Sequence, residues 1–324
     1  MAWAGPVDGI RAARRPAPLL GLALWLGALS AGPAVAHGYA PIGPAEAWRF
    51  WSLDPLATVP LLAGHLLYGR GMSAFRRRLG HLPRALPGWR VTAFLAGELM
   101  LVVALLSPVD AVAETILSAH MLQHVILIAA APPLLVLGRP EIAWAAGTPG
   151  SWRPVLLGAA ARPIYRAVGW LARPLPATLL HGAALWLWHV PALFELGRGD
   201  GLMHAFEHLC FFGTALLFWR AVIGAAATPR RALVGMAAAL ATLVHGGFLS
   251  ALISFAREPL YPGSTMWAPI WGMTPLQDQE LAGAIMWVPA GAAYLAAGLA
   301  LAARLLSRPN PTGPAAAHPP ALAA

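Results

Sequence analysis

The chain has 324 residues, of which 58% are hydrophobic and only 11% are charged. Soluble domains carry about a quarter charged residues, so this composition excludes an ordinary soluble protein and indicates an integral membrane protein. The formal net charge is +9, and every basic residue other than histidine is arginine. The single cysteine, Cys210, excludes an internal disulfide framework and any zinc site built on paired cysteines.

The N-terminus has the three parts of a secretory signal. Three arginines before residue 16 form a basic region, residues 19–29 form a short apolar core, and residues 34–36 read Ala-Val-Ala, a typical cleavage site. We therefore predict a signal peptide over residues 1–36, with His37 as the first residue after cleavage. An uncleaved first anchor is the alternative, and the apolar core is short for one.

Seven apolar segments follow, each near the length of about twenty residues that spans a bilayer. They lie at residues 51–68, 91–107, 115–137, 177–196, 202–222, 232–255 and 281–303. The predicted fold class is an all-α integral membrane protein with seven transmembrane helices, in a membrane domain over residues 37–305. The tail over residues 306–324, rich in Pro and Ala, is predicted to be disordered.

Arginines are concentrated in every second loop. Six lie between the first and second segments and five between the third and fourth, whereas the opposite loops hold only Arg49, Arg198 and Arg257 together with most of the acids. The positive-inside rule then predicts that the N-terminus lies outside and the C-terminus inside. The positive charge is thus a topology signal and a contact for membrane lipid, and we predict no nucleic-acid partner.

Six histidines fall at similar depth, in the half of the bundle that faces away from the cytoplasm. They are His120 and His124 on the third segment, His189 on the fourth, His204 and His208 on the fifth, and His245 on the sixth. Imidazole is costly to bury in lipid and is the commonest side-chain ligand for metals, so we predict that all six bind metal. The alternative is that they hydrogen-bond helix carbonyls and pack the bundle.

The residue types near these histidines favour copper. Imidazole binds both oxidation states of copper, and thioethers such as Met121, Met203 and Met286 favour Cu(I). A b-type haem held by two histidines is the alternative use of the same residues. The buried acids Glu207 and Glu98 are candidates to support a ligating imidazole, to carry a proton or to bond a neighbouring helix. His65, His81 and His181 are interpreted as structural.

Several motifs occur in an order that is typical of a known family. They are residues 119–124 (Ala-His-Met-Leu-Gln-His), 131–138 (Ala-Pro-Pro-Leu-Leu-Val-Leu-Gly), 185–191 (Leu-Trp-Leu-Trp-His-Val-Pro), 204–208 followed by Phe218-Trp219, and 278–283 followed by 285–289. From about Trp48 to Arg304 the chain therefore resembles the polytopic CtaG-type cytochrome c oxidase assembly factors.

The resemblance implies a multi-pass protein of the bacterial cytoplasmic (inner) membrane that helps to mature a haem-copper oxidase. It further implies copper insertion from the outer face of the membrane, with the oxidase subunit that carries the CuB centre as the partner. No catalytic constellation stands out in the sequence, and we expect no enzyme activity. A haem-binding protein, or a copper-resistance or copper-transport membrane protein, is the alternative function.

Overall fold

The structure is a computed structural model and describes residues 41–156 and 158–307. Within these ranges the chain is helical and contains no β-strand. The predicted signal peptide, His37 and all but the first two residues of the predicted tail lie outside the described residues.

The helices are numbered here in chain order. They are α1 Pro55–Leu79, α2 Gly88–Leu105, α3 Pro108–Ala113, α4 Leu117–Gly138, α5 Pro140–Gly147, α6 Arg162–Leu171, α7 Pro174–Trp188, α8 Pro191–Gly199, α9 Gly201–Gly224, α10 Pro229–Ser254 and α11 Pro275–Leu306. Short helical pieces occupy the loops at Ala47–Arg49, Arg153–Leu156, Ala159–Ala161, Ala225–Ala227, Pro262–Thr265 and Ala268–Trp271. Helix α4 is α-helical over Leu117–Val125 and Ala131–Gly138, with a π-helical stretch at Ile126–Ala130 between them.

Five helices in the described part of the chain are long and apolar enough to cross a membrane. They are α2, α4, α9, α10 and α11, which coincide with the second, third, fifth, sixth and seventh predicted segments. The fourth predicted segment, 177–196, is divided between α7 and α8, which meet at an angle of 78° and would make a sixth, broken span. The break precedes Pro191, whose ring removes a backbone donor and disfavours helical backbone at the preceding residue.

The first predicted segment, 51–68, differs most from the structure. Helix α1 begins later, at Pro55, and continues through an arginine-rich final turn to Leu79, so it does not qualify as a span by composition. It packs against α5, where a Cβ on Gly71 would overlap the backbone of Ala143. By length and apolarity the described helices therefore account for five or six crossings, and α1 is not among them.

The most extensive helix contact joins α10 and α11, where Gly283 lies directly against the backbone of Ser250 and Ser254. Small residues of this kind let helix backbones approach closely in membranes, where van der Waals packing replaces the hydrophobic drive. Large apolar side chains such as Leu240 and Phe248 are exposed on the outer surface of the bundle, as is appropriate for contact with lipid.

Helix α9 packs against residues 126–138 of α4 but much less closely against Leu117–Val125. The contact is fixed by Trp219, whose indole N–H donates to the carbonyl of Ile128 at 2.8 Å, within the π-helical stretch. π-Helical turns are frequent at functional sites. The wider separation between α9 and Leu117–Val125 of α4 leaves room for large side chains between the two helices.

Candidate metal centre

The space between α4 and α9 is filled by imidazole rings. His120 and His124 have ring centroids 4.2 Å apart on α4, and His204 and His208 have the same separation on α9. Across the two helices, the His120–His204 and His124–His208 centroid distances are 5.3 and 5.5 Å. The two predicted pairs therefore face each other inside the bundle.

Four of the side chains are close enough to share one metal ion. His120, His124, His204 and Glu207 each offer one ligand atom, and these atoms all lie within 4.8 Å of one another. All four residues are buried. We call this set the four-ligand group; three imidazoles and one carboxylate make a donor set suited to a transition metal.

Glu207 is the member that an all-histidine prediction leaves out. It lies three residues after His204 and therefore on the same face of α9, which is the sequence signal for its membership. Its carboxylate is held close to the backbone of α8, since a Cβ on Gly197 would lie 2.8 Å from Glu207 Oε2. A larger residue at this position would require the carboxylate to shift.

Three members of this group, His120, His124 and Glu207, have buried polar atoms that lack hydrogen-bond partners among the described residues. Both ring nitrogens of His120 and of His124 and both carboxylate oxygens of Glu207 are without a partner. The nearest approach, between His124 Nε2 and Glu207 Oε1, is 3.7 Å and too long for a hydrogen bond. An unsatisfied buried polar group costs about 1–3 kcal/mol, so proteins almost always pair them. A bound metal ion would engage one nitrogen of each ring and a carboxylate oxygen, and the residues therefore fit a metal.

His204 and His208 lie toward the rim of the cluster. Their Nε2 atoms are 2.9 Å apart, so one of the two nitrogens donates a proton to the other. His204 Nδ1 lies 3.4 Å from a carboxylate oxygen of Glu114, whose side chain is 20% exposed. Arg198 NH2 donates to the backbone carbonyl of Glu114 at 3.1 Å, which places a positive charge beside the group.

His189 lies at the junction of α7 and α8, with its ring centroid 6.1 Å from that of His124. Its Nδ1 is 2.6 Å from the carbonyl oxygen of Leu185. A carbonyl only accepts, so Nδ1 carries the proton and Nε2 presents a lone pair, the tautomer that metal-binding histidines adopt. The structure thus places five of the six predicted histidines in one cluster.

His245, the sixth predicted histidine, has different surroundings. In the described structure neither of its ring nitrogens has a hydrogen-bond partner, and it does not belong to the four-ligand group. Its Nε2 instead lies against Gly182 of α7. The sequence does not predict the direction of this side chain around the α10 axis, because a lipid-embedded helix has no clear polar face. We leave His245 out of the candidate site.

The helix that carries His120 and His124 is held in place by a residue far away in the sequence. Ile116, the N-cap of α4, has no capping side chain. The buried carboxylate of Asp278 on α11 accepts from the backbone N–H groups of Leu117 and Ser118, at 2.8 and 2.9 Å. A carboxylate at this position satisfies two otherwise free donors and interacts favourably with the helix dipole.

Gln123 gives a second anchor to the same helix. Its amide donates to the carbonyl of Ala104 at 2.8 Å and to the carboxylate of Asp110 at 2.7 Å. Asp110 lies in α3, outside the apolar spans, and burial raises its pKa to about 6, although the hydrogen bond from Gln123 acts in the opposite direction.

The histidines interpreted as structural have partners of their own. His65 Nδ1 lies 2.8 Å from Glu98, and His81 Nδ1 lies 2.9 Å from the carbonyl of Leu82. His181 uses both nitrogens, with Tyr294 OH at 3.0 Å and Thr214 Oγ1 at 3.3 Å. These contacts agree with a structural role. Glu98 is accordingly engaged away from the cluster.

Comparison with known proteins identifies a family. The sequence model of the cytochrome c oxidase caa3 assembly factors (Caa3_CtaG) matches residues 66–308. Uncharacterized proteins of Mycobacterium bovis and of Mycobacterium tuberculosis are each 30% identical to this chain over 257 residues. The alignment covers 74% of this chain but only 36% of each relative, so the chain spans about a third of their length. No solved structure matches the chain significantly.

Proposed function

We propose a function from one premise: the chain belongs to the cytochrome c oxidase caa3 assembly factor family. It assists the assembly of a haem-copper oxidase by holding copper for insertion into the oxidase subunit that carries the CuB centre. The observation that supports this role is the four-ligand group, in which three imidazoles and one carboxylate converge while most of their buried polar atoms lack partners. Copper is the cargo of this site.

The arrangement of the cluster suits an ion that must leave again. His120, His124 and Glu207 are buried, whereas the neighbouring Glu114 and His208 are partly exposed. An ion can therefore exchange one ligand at a time from the buried group to the rim. Imidazole and carboxylate ligands support such exchange because their single metal bonds are broken and re-formed individually.

We further propose that the chain crosses the bacterial inner membrane seven times, with its N-terminus outside. In this topology α1 is the first crossing, although its arginine-rich final turn makes it less apolar than the other spans, and α7 with α8 is a single broken crossing. His120 and His204 are each the fourth residue of their helix, so both lie near the same membrane face. The arginine-rich loops begin at the opposite ends of these helices, which directs the cluster outward.

Crowding within the cluster argues against a b-type haem. The imidazole centroids are only 4.2 to 6.1 Å apart, and the adjoining cavity has a volume of about 30 Å³, far less than a porphyrin needs. A copper importer would need further ligands toward the other membrane face. The next polar groups in that direction are Tyr294 and His181, and the His181 nitrogens are already hydrogen-bonded.

Metal analysis of the full chain purified in detergent tests the proposal. After copper loading, the wild type is expected to retain copper and the His120→Ala/His204→Ala double variant to lose it. His65→Ala is the matched control, since His65 is an exposed histidine bonded to Glu98 outside the cluster. Equal copper content in the wild type and the double variant would show that the four-ligand group does not hold the metal.

A further inference from the structure

We propose a second metal position in this protein, formed by His189 and Met286 around a small cavity that adjoins His124. We call it the cavity position. It rests on the proposed role in copper supply and deepens it, because it assigns the bundle a second ion and a preference for a soft monovalent cation, Cu(I). The cavity position is separate from the four-ligand group and adjoins it at His124, whose neutral imidazole can bind an ion at only one of the two positions at a time.

The cavity lies among α4, α7, α10 and α11 and has a volume of about 30 Å³. Polar or sulfur-bearing side chains that line it are His124, His189, Ser250, Met286 and Tyr294. A space of this size accepts one or two particles as large as a water molecule. It therefore accommodates a single ion without movement of the helices.

His189 is already arranged as a ligand. Its side chain is buried, its Nδ1–H is engaged by Leu185, and its Nε2 is buried with no partner. The backbone of the same residue is fixed by the Tyr261 hydroxyl, which donates to the His189 carbonyl at 2.7 Å. Ligand orientation by a carbonyl on the far nitrogen is the arrangement that tunes metal-bound imidazole in known sites.

His124 faces the same cavity from α4. The ring centroids of His124 and His189 are 6.1 Å apart, and metal–imidazole bonds are about 2 Å long, so one ion between the rings can reach both. Both nitrogens of His124 lack partners, and one of them lies nearest Glu207. His124 thus stands between the two positions, where an ion can pass from one to the other.

Charge distinguishes the two positions. The four-ligand group contains the carboxylate of Glu207, whereas no acidic residue lines the cavity within the described part of the chain. The imidazole of His189 and the thioether of Met286 are neutral, and a buried site without a compensating anion penalises a divalent cation more than a monovalent one. Thioether sulfur also selects Cu(I) over harder ions. The cavity position therefore takes Cu(I) and excludes Zn²⁺.

The experiment counts ions on the full chain in detergent, using silver(I) as a redox-stable probe of Cu(I) sites and zinc(II) as the divalent probe. The wild type is expected to bind two silver ions and one zinc ion. His189→Ala and Met286→Leu are each expected to bind one silver ion and one zinc ion. Because Met286→Leu nearly conserves volume, it keeps the test valid if His189→Ala does not fold.

The controls are His245→Ala and Met236→Leu, which alter a histidine and a methionine of α10 that do not line the cavity. Both are expected to bind two silver ions. X-ray absorption of the Cu(I)-loaded protein adds a direct readout, a sulfur shell that is present in the wild type and absent in Met286→Leu.

Three results would overturn the cavity position. One silver ion in the wild type, lost in His120→Ala/His204→Ala, would leave the proposed function standing and remove only the second site. Two silver ions that survive both His189→Ala and Met286→Leu would place the second site elsewhere. A second zinc ion would refute the preference for a monovalent ion. Failure to bind any metal would instead refute the proposed function together with this inference.

Discussion

Two buried histidine groups in this bundle differ in whether their polar atoms have partners. His120 and His181 are both fully buried. The nitrogens of His181 are hydrogen-bonded to Tyr294 and Thr214, and its ring stacks on Phe218. The nitrogens of His120 have no partner. Burial alone therefore does not distinguish these two histidines, whereas unsatisfied hydrogen-bonding capacity within the described structure does.

Substitution of the unpartnered histidine is expected to have its largest effect on oxidase activity. His120→Ala should lower cytochrome c oxidase activity about 10-fold or more without lowering oxidase transcript, since even groups that only support metal ligands are worth 10–100-fold. His181→Leu should keep its activity per folded chain. The measurement is oxidase activity in membranes, normalised to the amount of this protein. Full activity and normal copper content in the His120→Ala strain would make the cluster structural.

The same contrast predicts that substitutions of His124 and His181 change the free energy of unfolding of the metal-free protein in opposite directions. His124→Leu should stabilise it by about 1–3 kcal/mol, because it replaces unsatisfied polar atoms with an apolar side chain of similar size. His181→Leu should destabilise it by a similar amount, because Tyr294 OH loses its partner. Unfolding of both variants in detergent with a metal chelator measures the difference. The same sign for both variants would show that the missing partners carry no cost.

Much of the fold was predictable, because apolar length alone locates α2, α4, α9, α10 and α11. The start of α1 and the break between α7 and α8 were less so. A hydropathy average over a long segment conceals an arginine-rich end such as that of α1. It also does not detect the local effect of Pro191 on the backbone.

The sequence indicates which histidines occupy similar positions along their helices, but it does not give the full set of candidate ligands. Spacing identified the pairs on α4 and α9, and it also carried the signal for Glu207. It could not give the rotation of α10, which directs His245 toward Gly182. The cap that Asp278 provides to α4 joins residues about 160 positions apart, a contact that only the folded chain reveals.

Asp110 supplies a pH-dependent test of the support around the cluster. Burial raises its pKa from 3.8 to about 6, so its ionised form is disfavoured in the folded state. The contribution of Asp110 to stability should therefore be greatest below about pH 4 and should be lost as the pH rises through about 6. Asp110→Asn should remove the loss and raise stability at pH 7.5 by about 2–3 kcal/mol relative to the wild type.

The check on Asp110 is thermal unfolding of the wild type and Asp110→Asn at pH 4.5 and pH 7.5. Only the difference between the two proteins matters, since other titrating groups are common to both. A constant difference across this range would show that Asp110 does not titrate there.

The smallest expected effect on stability comes from substituting Asp278, which couples α11 to the helix that bears His120 and His124. Asp278→Asn keeps an oxygen that can accept one N–H but removes the charge, and it should cost about 1–2 kcal/mol, the range for a lost helix cap with its dipole interaction. Because the cap fixes the start of α4, copper affinity should fall as well, while the number of ions bound at saturation stays the same.

Glu280→Gln is the matched control for Asp278→Asn, since this neighbouring acid is exposed and does not cap α4. Isothermal competition with a copper chelator and unfolding in detergent give the two quantities. If Asp278→Asn and Glu280→Gln bind copper equally well, the cap stabilises the fold without positioning the metal ligands.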